Sequence, residues 1–435
     1  MPLKICSYEQ YKHKHQQSSL SDYREETEKV RSIIDQVRRC GDNALIKYAR
    51  EFDLVELENL AVTEEEINDA VYSAGPELVE LIREAKNNVE RFHRHQVEQD
   101  WWDSGPGWIA GQCFKPLQSA GAYIPGGTAA YPSSVLMAVV PARVAGVKNI
   151  CICTPPDNKG KINPLTLVAA REAGVSAVFK VGGAQAVAAM AYGTETVPVV
   201  QKIVGPGNIY VTLAKREVFG EVGIDMLAGP SEIVIVAGED ADPAYVAADL
   251  LSQAEHDPLS KAIMITASEL LGTEVKRHLE DQLSTLPRKE IAAEALYRQG
   301  AIILVHSLAE AWSVVNELAP EHLELHLDDA WQYLDLIESA GAVFIGPYTP
   351  EALGDYWAGS NHILPTGTVA RYASALGVYD YIKRSHVLSY TAGALQRSAP
   401  QIAELARCEG LEAHARAVLL RGKKNEPPDK NRAQN

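Results

Sequence analysis

The chain has 435 residues, longer than one ordinary hydrophobic core organises, so two or more domains are expected. Its formal net charge of −16 at pH 7 disfavours nucleic acid and anionic membranes as partners. That charge favours a protein that acts on a small-molecule substrate. The sequence contains no basic cluster with interleaved aromatic residues, which also disfavours binding of nucleic acid.

The first elements are predicted to be helices. Residues 22–50 place apolar side chains on one helical face, with Gly41 as a stop and Asp42 as the cap of a second helix. Residues 64–95 carry acidic residues early and basic residues late, as the helix dipole prefers. Residues 1–20 are treated as an N-terminal extension, and they lack the pattern of a signal peptide.

The middle of the chain has the pattern of an α/β protein. An apolar run at 145–154, a helical pattern at 163–173 and a second apolar run at 173–182 have the spacing of a βαβ unit. Further apolar runs indicate buried strands at 202–205, 233–237, 262–266, 301–305 and 342–346. Such strands alternating with helices predict parallel sheets covered on both faces.

Three glycine-rich turns follow predicted strands: Gly126-Gly127, Gly182-Gly-Ala-Gln185 and Gly205-Pro-Gly-Asn208. A turn before a helix presents backbone N–H groups and the positive end of the helix to an anion. Tyr210 stands where the GxGxxG fingerprint has its last glycine, so one turn alone is equally compatible with a tight turn that binds nothing. Together the three turns favour a dinucleotide crevice.

Two polar groups suggest chemistry. Gln253 and His256 share a face at the end of the predicted helix 243–254, although spacing alone favours an ordinary helix end over a metal site. Glu321 and His322 follow a proline, and a buried structural histidine is the simpler interpretation. The pair nevertheless suits alcohol oxidation, because imidazole accepts a hydroxyl proton near neutral pH and a carboxylate deprotonates water.

Several long stretches resemble the histidinol dehydrogenase family, and the resemblance covers about residues 22–420. The stretches that carry it are Tyr123–Val135, Val181–Ala186, Gly205–Glu232, Leu251–Pro258, Ala319–Leu325, Leu353–Thr366 and Cys408–Arg416. It implies an NAD- and zinc-dependent enzyme that oxidises L-histidinol to L-histidine through an aldehyde, the last step of histidine biosynthesis. The chain departs from the usual pattern at Gly367-Thr-Val, where the family has two glycines and a threonine.

The resemblance also implies the site residues. His322 would be the base and Glu321 would activate water. NAD would be bound by Tyr123, Gln185 and Asn208. One zinc ion per subunit would be bound by Gln253, His256, Asp355 and His414. The substrate would contact Ser231, Gln253, His256, His322, Asp355, His362, Glu409 and His414.

The architecture that the resemblance implies is two Rossmann-like α/β domains with an extended C-terminal tail, in an intertwined homodimer. The expected boundaries are 21–118 with 233–375 for the first domain, 119–232 for the second, and 376–421 for the tail. The tail would carry Glu409 and His414 into the partner subunit's site. The polar segment 422–435 is predicted to be disordered.

Six cysteines without a CxxC pair predict reduced thiols in the cytoplasm. Cys113, Cys151 and Cys153 could hold an aldehyde as a thiohemiacetal. Cys151 and Cys153 alternate in an apolar strand, however, so we predict no cysteine catalysis.

Two other functions remain open. A related dehydrogenase of another small alcohol, such as sulfopropanediol, would need a basic residue for the sulfonate, and Glu409 argues against it. A catalytically silent metal- or nucleotide-binding protein is disfavoured by the Glu321–His322 pair and the four plausible ligands.

Overall fold

A computed structural model describes residues 3–14, 22–126 and 130–423. The chain divides into two compact units, of which unit 1 comprises residues 1–97 and 117–381, and unit 2 comprises 98–116 and 382–435. Within the described ranges, no helix has both the length and the apolar character that crossing a membrane requires.

Both units contain β-sheet. In chain order the strands are β1 (Lys4–Ser7), β2 (Trp101–Gly105), β3 (Trp108–Pro116), β4 (Ser119–Tyr123), β5 (Asn149–Thr154), β6 (Ala177–Lys180), β7 (Lys202–Val204), β8 (Gly223–Ile224), β9 (Glu232–Ala237), β10 (Lys261–Thr266), β11 (Ala301–Leu304), β12 (His322–His326), β13 (Ala342–Ile345) and β14 (Ile382–Tyr390). Unit 1 holds two sheets, ordered β1-β11-β10-β9-β12-β13 and β6-β5-β4-β7-β8, and every pair in them is parallel. The predicted α/β class with parallel sheets is confirmed.

Helices connect the strands. In chain order they are α1 (Tyr8–Lys14), α2 (Arg24–Cys40), α3 (Asp42–Phe52), α4 (Glu64–Arg94), α5 (Pro132–Ala145), α6 (Pro164–Ala173), α7 (Gly183–Tyr192), α8 (Ile209–Val218), α9 (Pro243–Ala254), α10 (Glu269–Leu283), α11 (Lys289–Gln299), α12 (Leu308–Leu318), α13 (Glu351–Leu353), α14 (Ala392–Cys408) and α15 (Glu412–Lys423). A π-helical turn, Gly354–Ala358, continues α13. Short 3-10 turns occupy Ala330–Leu336, Val369–Arg371 and Val378–Tyr381.

Local signals explain where helices begin. Thr63 and Glu66 form a reciprocal capping box at α4, and the side chain of Asn208 accepts hydrogen bonds from the first backbone N–H groups of α8. Asp42 differs from its predicted capping role. It is the first residue of α3, after Gly41, and its carboxylate accepts hydrogen bonds from Thr196.

Helices α2, α3 and α4 pack against the five-stranded sheet. Helices α2 and α3 share an apolar core with Cys151 and Cys153, whereas α4 shares a core with Ile150 and Ile152, which point to the opposite face of β5. This packing differs from the predicted grouping of 21–118 with 233–375. An amphipathic pattern identifies the apolar face of a helix but not the sheet that covers it.

The two ends of the chain also differ from the predicted boundaries. Residues 4–7, within the predicted N-terminal extension, form the edge strand β1 beside β11. In unit 2, β2, β3 and β14 form an antiparallel sheet, and α14 and α15 share a small alanine core. The predicted tail thus shares a unit with 98–116. Helix α15 extends to Lys423, and residues 424–435 lie outside the described residues.

Candidate active site

The predicted acid–base pair lies at the amino end of a central strand. His322 is the first residue of β12, Glu321 immediately precedes it, and both are buried. The adjacent strand β9 holds both side chains through one residue. The backbone N–H of Glu232 donates to Oε2 of Glu321 at 2.9 Å, and the carbonyl oxygen of Glu232 lies 3.1 Å from Nδ1 of His322.

These contacts define the protonation states of the pair. Because a carbonyl oxygen only accepts, Nδ1 of His322 carries the proton and Nε2 keeps its lone pair. Burial lowers the pKa of His322 to about 3, so its imidazole is neutral at physiological pH. Burial raises the pKa of Glu321 well above its usual range. The site therefore pairs a neutral imidazole with a carboxyl group that binds a proton more strongly than an exposed one.

Two predicted zinc ligands, Asp355 and His256, lie near this pair. Asp355 lies in the π-helical turn, and its Oδ1 is 3.9 Å from Nε2 of His322. Burial lowers the pKa of His256, which lies two residues beyond the end of α9, and the nearby Asp355 carboxylate opposes that shift. Gln253 is fully buried one turn earlier, within α9. The structure thus places His256 near Asp355 and Gln253 on the helix that leads to His256.

The donor set fits a divalent cation. Oδ1 of Asp355 is buried and accepts no hydrogen bond from any residue in the described ranges. A buried carboxylate oxygen is costly without a compensating charge, and burial raises the pKa of Asp355 to about 6. Imidazole nitrogen and carboxylate oxygen are ordinary zinc ligands. His322, Glu351 and Asp355 also place ligand atoms within 4.8 Å of one another, a grouping that shares only Asp355 with the predicted set.

The predicted substrate contacts His362 and Ser231 lie beside the residues described above. Nδ1 of His362 lies 3.2 Å from the carbonyl oxygen of Asp355, and burial lowers the pKa of this histidine to about 4. Ser231 immediately precedes β9 and Glu232, and its carbonyl oxygen accepts the backbone N–H of Lys261. Both residues therefore lie beside elements that hold the acid–base pair or Asp355.

The predicted cofactor residues line one cavity of about 860 Å³. Tyr123 ends β4, Gln185 lies in the first turn of α7, and Asn208 precedes α8. The carboxyl ends of parallel strands are where α/β folds bind ligands. The buried Oε1 of Gln185 has no hydrogen-bond partner among the residues that the structure describes, and the N–H of Gly183 donates to the hydroxyl of Tyr123 at 3.2 Å. Gly127, from the first predicted turn, lies outside the described residues.

A buried ion pair fixes the third glycine turn. Lys215 and Asp225 form this pair, with side chains 3% and 1% exposed. Nζ of Lys215 donates to the carbonyl oxygen of Gly205 at 3.1 Å, and the N–H of Gly205 donates to Oδ2 of Asp225 at 2.8 Å. Gly205 has a φ of +110°, and a Cβ there would overlap the carbonyl oxygen of Tyr123. The turn that presents Asn208 is therefore held against Tyr123.

The last two predicted site residues lie in unit 2. Glu409 follows the final residue of α14, and His414 lies in the first turn of α15. Both side chains are exposed in this chain.

Sequence reasoning missed Glu232 and Glu351. Glu232 acts through its backbone, which leaves no side-chain signature, while its carboxylate accepts hydrogen bonds from Lys261 Nζ at 2.7 Å and the N–H of Gly367 at 3.1 Å. The segment that departs from the family pattern is thus anchored to the residue that holds the predicted acid–base pair. Glu351 is 2% exposed, and its Oε1 lies 3.8 Å from Nδ1 of His322. No motif marked it, since only folding brings α13 beside β12.

Two of the three cysteines considered as nucleophiles lie in the core. Cys151 and Cys153 are buried in β5, where burial raises the pKa of Cys151 to about 12 and also raises the pKa of Cys153 well above its usual range. Cys113 lies in β3 of unit 2. A protonated, buried thiol is a poor nucleophile.

Known proteins resemble this chain over most of its length. The sequence model of the histidinol dehydrogenase family matches residues 16–422. A histidinol dehydrogenase of Bacillus cereus is 54% identical over 393 residues, which cover 90% of this chain and 91% of the relative. One from Listeria innocua is 52% identical over 393 residues, with coverage of 90% and 92%. The crystal structure of histidinol dehydrogenase from Elizabethkingia anophelis superposes with a TM-score of 0.90 at 38% identity, covering 96% of each chain.

Proposed function

The chain belongs to the histidinol dehydrogenase family and is an oxidoreductase of histidine biosynthesis, and from this premise we propose that the residues around His322 carry out the oxidation of L-histidinol to L-histidine. The observation that carries the proposal is the buried grouping of Glu321, His322 and Asp355. It combines a proton acceptor, a group able to activate water and an oxygen ligand without a hydrogen bond.

The cofactors of this proposal are NAD and one zinc ion per subunit. The residues proposed to hold zinc are Gln253, His256, Asp355 and His414, and those proposed to hold NAD are Tyr123, Gln185 and Asn208. When bound, zinc would anchor the amine and imidazole of histidinol, and two NAD molecules in succession would accept one hydride each. Leaving His322 out of the ligand set keeps its Nε2 available for the substrate's proton.

The chain's own residues move the protons. In the first oxidation, Nε2 of His322 takes the hydroxyl proton while the carbon loses hydride, and the alcohol becomes an aldehyde. In the second, Glu321 takes a proton from a water molecule as the water oxygen bonds to the aldehyde carbon. The hydrated aldehyde then loses hydride from carbon and a hydroxyl proton to His322, which leaves the carboxylate. One alcohol and one water thus yield one carboxylate, two hydrides and three protons, of which one comes from the alcohol, one from the water and one from the hydrate.

We further propose a cytoplasmic homodimer with shared sites. Glu409 and His414 lie in unit 2 and are exposed in this chain, as expected of residues that complete a site in another subunit. In this arrangement residues 376–421 extend to the partner subunit, where Glu409 contacts the substrate's imidazole and His414 completes the zinc ligands.

The deciding experiment is the yield of NADH per L-histidinol consumed, before chelation, after chelation and after zinc is added back. We expect two NADH per histidinol, loss of activity on chelation and recovery with zinc. Activity on histidinol that survives complete metal removal would refute the role of zinc. A folded, zinc-loaded protein that forms no NADH from histidinol would refute the substrate, and sulfopropanediol is the alcohol to offer next.

A further inference from the structure

A buried charged cluster lies behind the proposed zinc site. His326 is the last residue of β12, and its Nε2 lies 3.2 Å from Oε2 of Glu324 on the same strand and 3.3 Å from Oδ2 of Asp249 on α9. The side chains of His326 and Glu324 are 2% and 1% exposed, and that of Asp249 is 13% exposed. One imidazole therefore joins the strand of the catalytic base to helix α9.

The strand geometry explains why this cluster faces the site. Side chains alternate across a strand, so Glu324 and His326 share the face of His322. Leu323 and Leu325 point the other way, into an apolar core. The catalytic base and the buried cluster thus occupy one polar face of β12.

The second oxygen of Glu324 holds the segment that carries Asp355. Oε1 of Glu324 accepts the backbone N–H of Glu351 at 2.7 Å, in a buried hydrogen bond. Glu351 is the first residue of α13, which runs directly into the π-helical turn with Asp355. One side chain therefore connects His326 to the start of this segment.

On the other side, the cluster holds the helix that carries Gln253. Asp249 and Gln253 are four residues apart on α9, so they lie on the same face one turn from each other. His256 follows the end of that helix. The path Asp249–His326–Glu324–Glu351 thus spans the two elements that supply Gln253 and Asp355.

We propose that Asp249, Glu324 and His326 are positioning residues that set the spacing between Gln253 and Asp355, and so the affinity for zinc. The proposal rests on the proposed function, because it presumes that zinc is bound by that ligand set. Residues that orient metal ligands typically change metal affinity by about 10–100-fold when they are removed.

Two carboxylates compensate the charge of His326 without a metal, although both contact Nε2 and the buried Nδ1 has no hydrogen-bond partner among the described residues. Burial alone would lower the pKa of His326, but its hydrogen bonds to Asp249 and Glu324 raise that pKa to about 9. A protonated imidazole between two carboxylates is already a compensated buried group. We therefore assign the cluster a mechanical role between α9, β12 and α13.

Zinc affinity of the full-length protein, measured by competition with a chromophoric chelator, tests the proposal. Asp249→Ala removes the contact on α9, whereas Asp249→Asn keeps an oxygen that accepts from Nε2 of His326. We expect zinc binding roughly 10–100-fold weaker for Asp249→Ala, and largely restored for Asp249→Asn. Asp281→Ala makes the same substitution at an exposed residue of α10. It is the matched control and should bind zinc as the wild type does.

A second pair of variants tests the contact between Glu324 and the N–H of Glu351. Glu324→Leu removes the acceptor of the Glu351 N–H, and Glu324→Gln retains it. If Glu324→Leu fails to fold, the more exposed Asp249 pair still decides the question, with circular dichroism of the zinc-free proteins as the check on folding. Unchanged zinc affinity in folded Asp249→Ala would overturn the proposal. A wild type that binds no zinc would instead refute the proposed function.

Discussion

At the scale of single residues, Glu232 orients the acid–base pair without using its side chain. The parallel pairing of β9 and β12 places His322 opposite Ile233, so the backbone groups of Glu232 reach both Glu321 and His322. Mutation of Glu232 leaves these backbone groups in place. The tautomer of His322 is therefore set by the sheet itself, which is a more rigid support than a neighbouring side chain.

The two proposed oxidations are expected to depend on different residues, and Glu321→Gln should separate them. The amide retains the shape and an acceptor for the Glu232 N–H but cannot take a proton from water. We expect oxidation of histidinal to fall about 100-fold or more, while reduction of histidinal by NADH persists because it needs only His322. Both rates can be followed by NADH absorbance at saturating zinc. Equal loss of the two reactions would contradict separate roles.

The cysteines are expected to be dispensable for turnover. Cys153 is fully buried in β5, and its burial raises its thiol pKa far above neutrality. Cys153→Ala should cost about 1 kcal/mol of stability through lost packing and leave kcat within about twofold of the wild type. Steady-state kinetics beside thermal unfolding would check this. A folded Cys153→Ala protein without turnover would establish cysteine catalysis.

At the scale of elements, the two proposed binding regions use opposite ends of their sheets. Tyr123 and the turns at Gly182 and Gly205 follow the carboxyl ends of β4, β6 and β7, where the α/β pattern leads one to expect a ligand. Glu321 and His322 lie at the amino end of β12. The glycine turns could thus be predicted from strand ends, but strand pattern alone gives no reason to expect an active site before β12.

The difference between local sequence signals and contacts made by folding explains which helix bounds could be predicted. Helix α9 has the predicted bounds 243–254, and α6 begins one residue after the predicted start, because Asp242, Asn163 and the following prolines mark their first turns. The Lys215–Asp225 pair and the contact of Glu324 with Glu351 join residues from different segments of the chain. No spacing rule brings such residues together, so the supports of the site emerged only from the fold.

The contacts of Lys215 and Asp225 with Gly205 predict that Lys215→Met weakens the binding of NAD. The variant loses the bond to the Gly205 carbonyl and leaves Asp225 as a buried charge without its cation, which costs about 3–5 kcal/mol. We expect KM for NAD to rise roughly tenfold with a smaller change in kcat, since the proposed NAD contact Asn208 shares this turn. Initial rates at varied NAD and fixed histidinol measure both constants.

A double variant distinguishes an effect on the position of the Gly205 turn from an effect on the stability of the protein. Lys215→Met with Asp225→Leu removes both buried charges and should recover much of the lost stability. Both hydrogen bonds to Gly205 are absent in the double variant, so KM for NAD should stay high. Recovery of KM together with stability would mean that the ion pair does not position the turn.

At the scale of the whole molecule, the location of two predicted site residues, Glu409 and His414, makes the proposed dimer testable. Gln253, His256 and Asp355 lie in unit 1, whereas His414 and Glu409 lie in unit 2 on exposed surface. The sequence resemblance supplied this set, and neither periodicity nor composition indicates whether a tail residue acts in its own subunit. Only an experiment with two kinds of subunit can separate these cases.

Mixed dimers of two inactive variants provide that experiment. His322→Ala lacks the base and His414→Ala lacks the tail ligand, so each homodimer should be inactive. If the tail acts in the partner subunit, a mixed dimer contains one site with an intact His322 and an intact His414. Random reassembly of equal amounts makes about half of the dimers mixed, with one of two sites intact, so roughly one quarter of wild-type activity should return.

The result depends on which subunit supplies the tail. If His414 served its own subunit, each site in a mixed dimer would still lack one residue, and no activity would return. Differently tagged subunits, unfolded and refolded together, allow mixed dimers to be purified, so their formation is verified separately from their activity. Purified mixed dimers should then have about half the wild-type activity, because one of their two sites is complete. Inactive but correctly assembled mixed dimers would exclude shared sites.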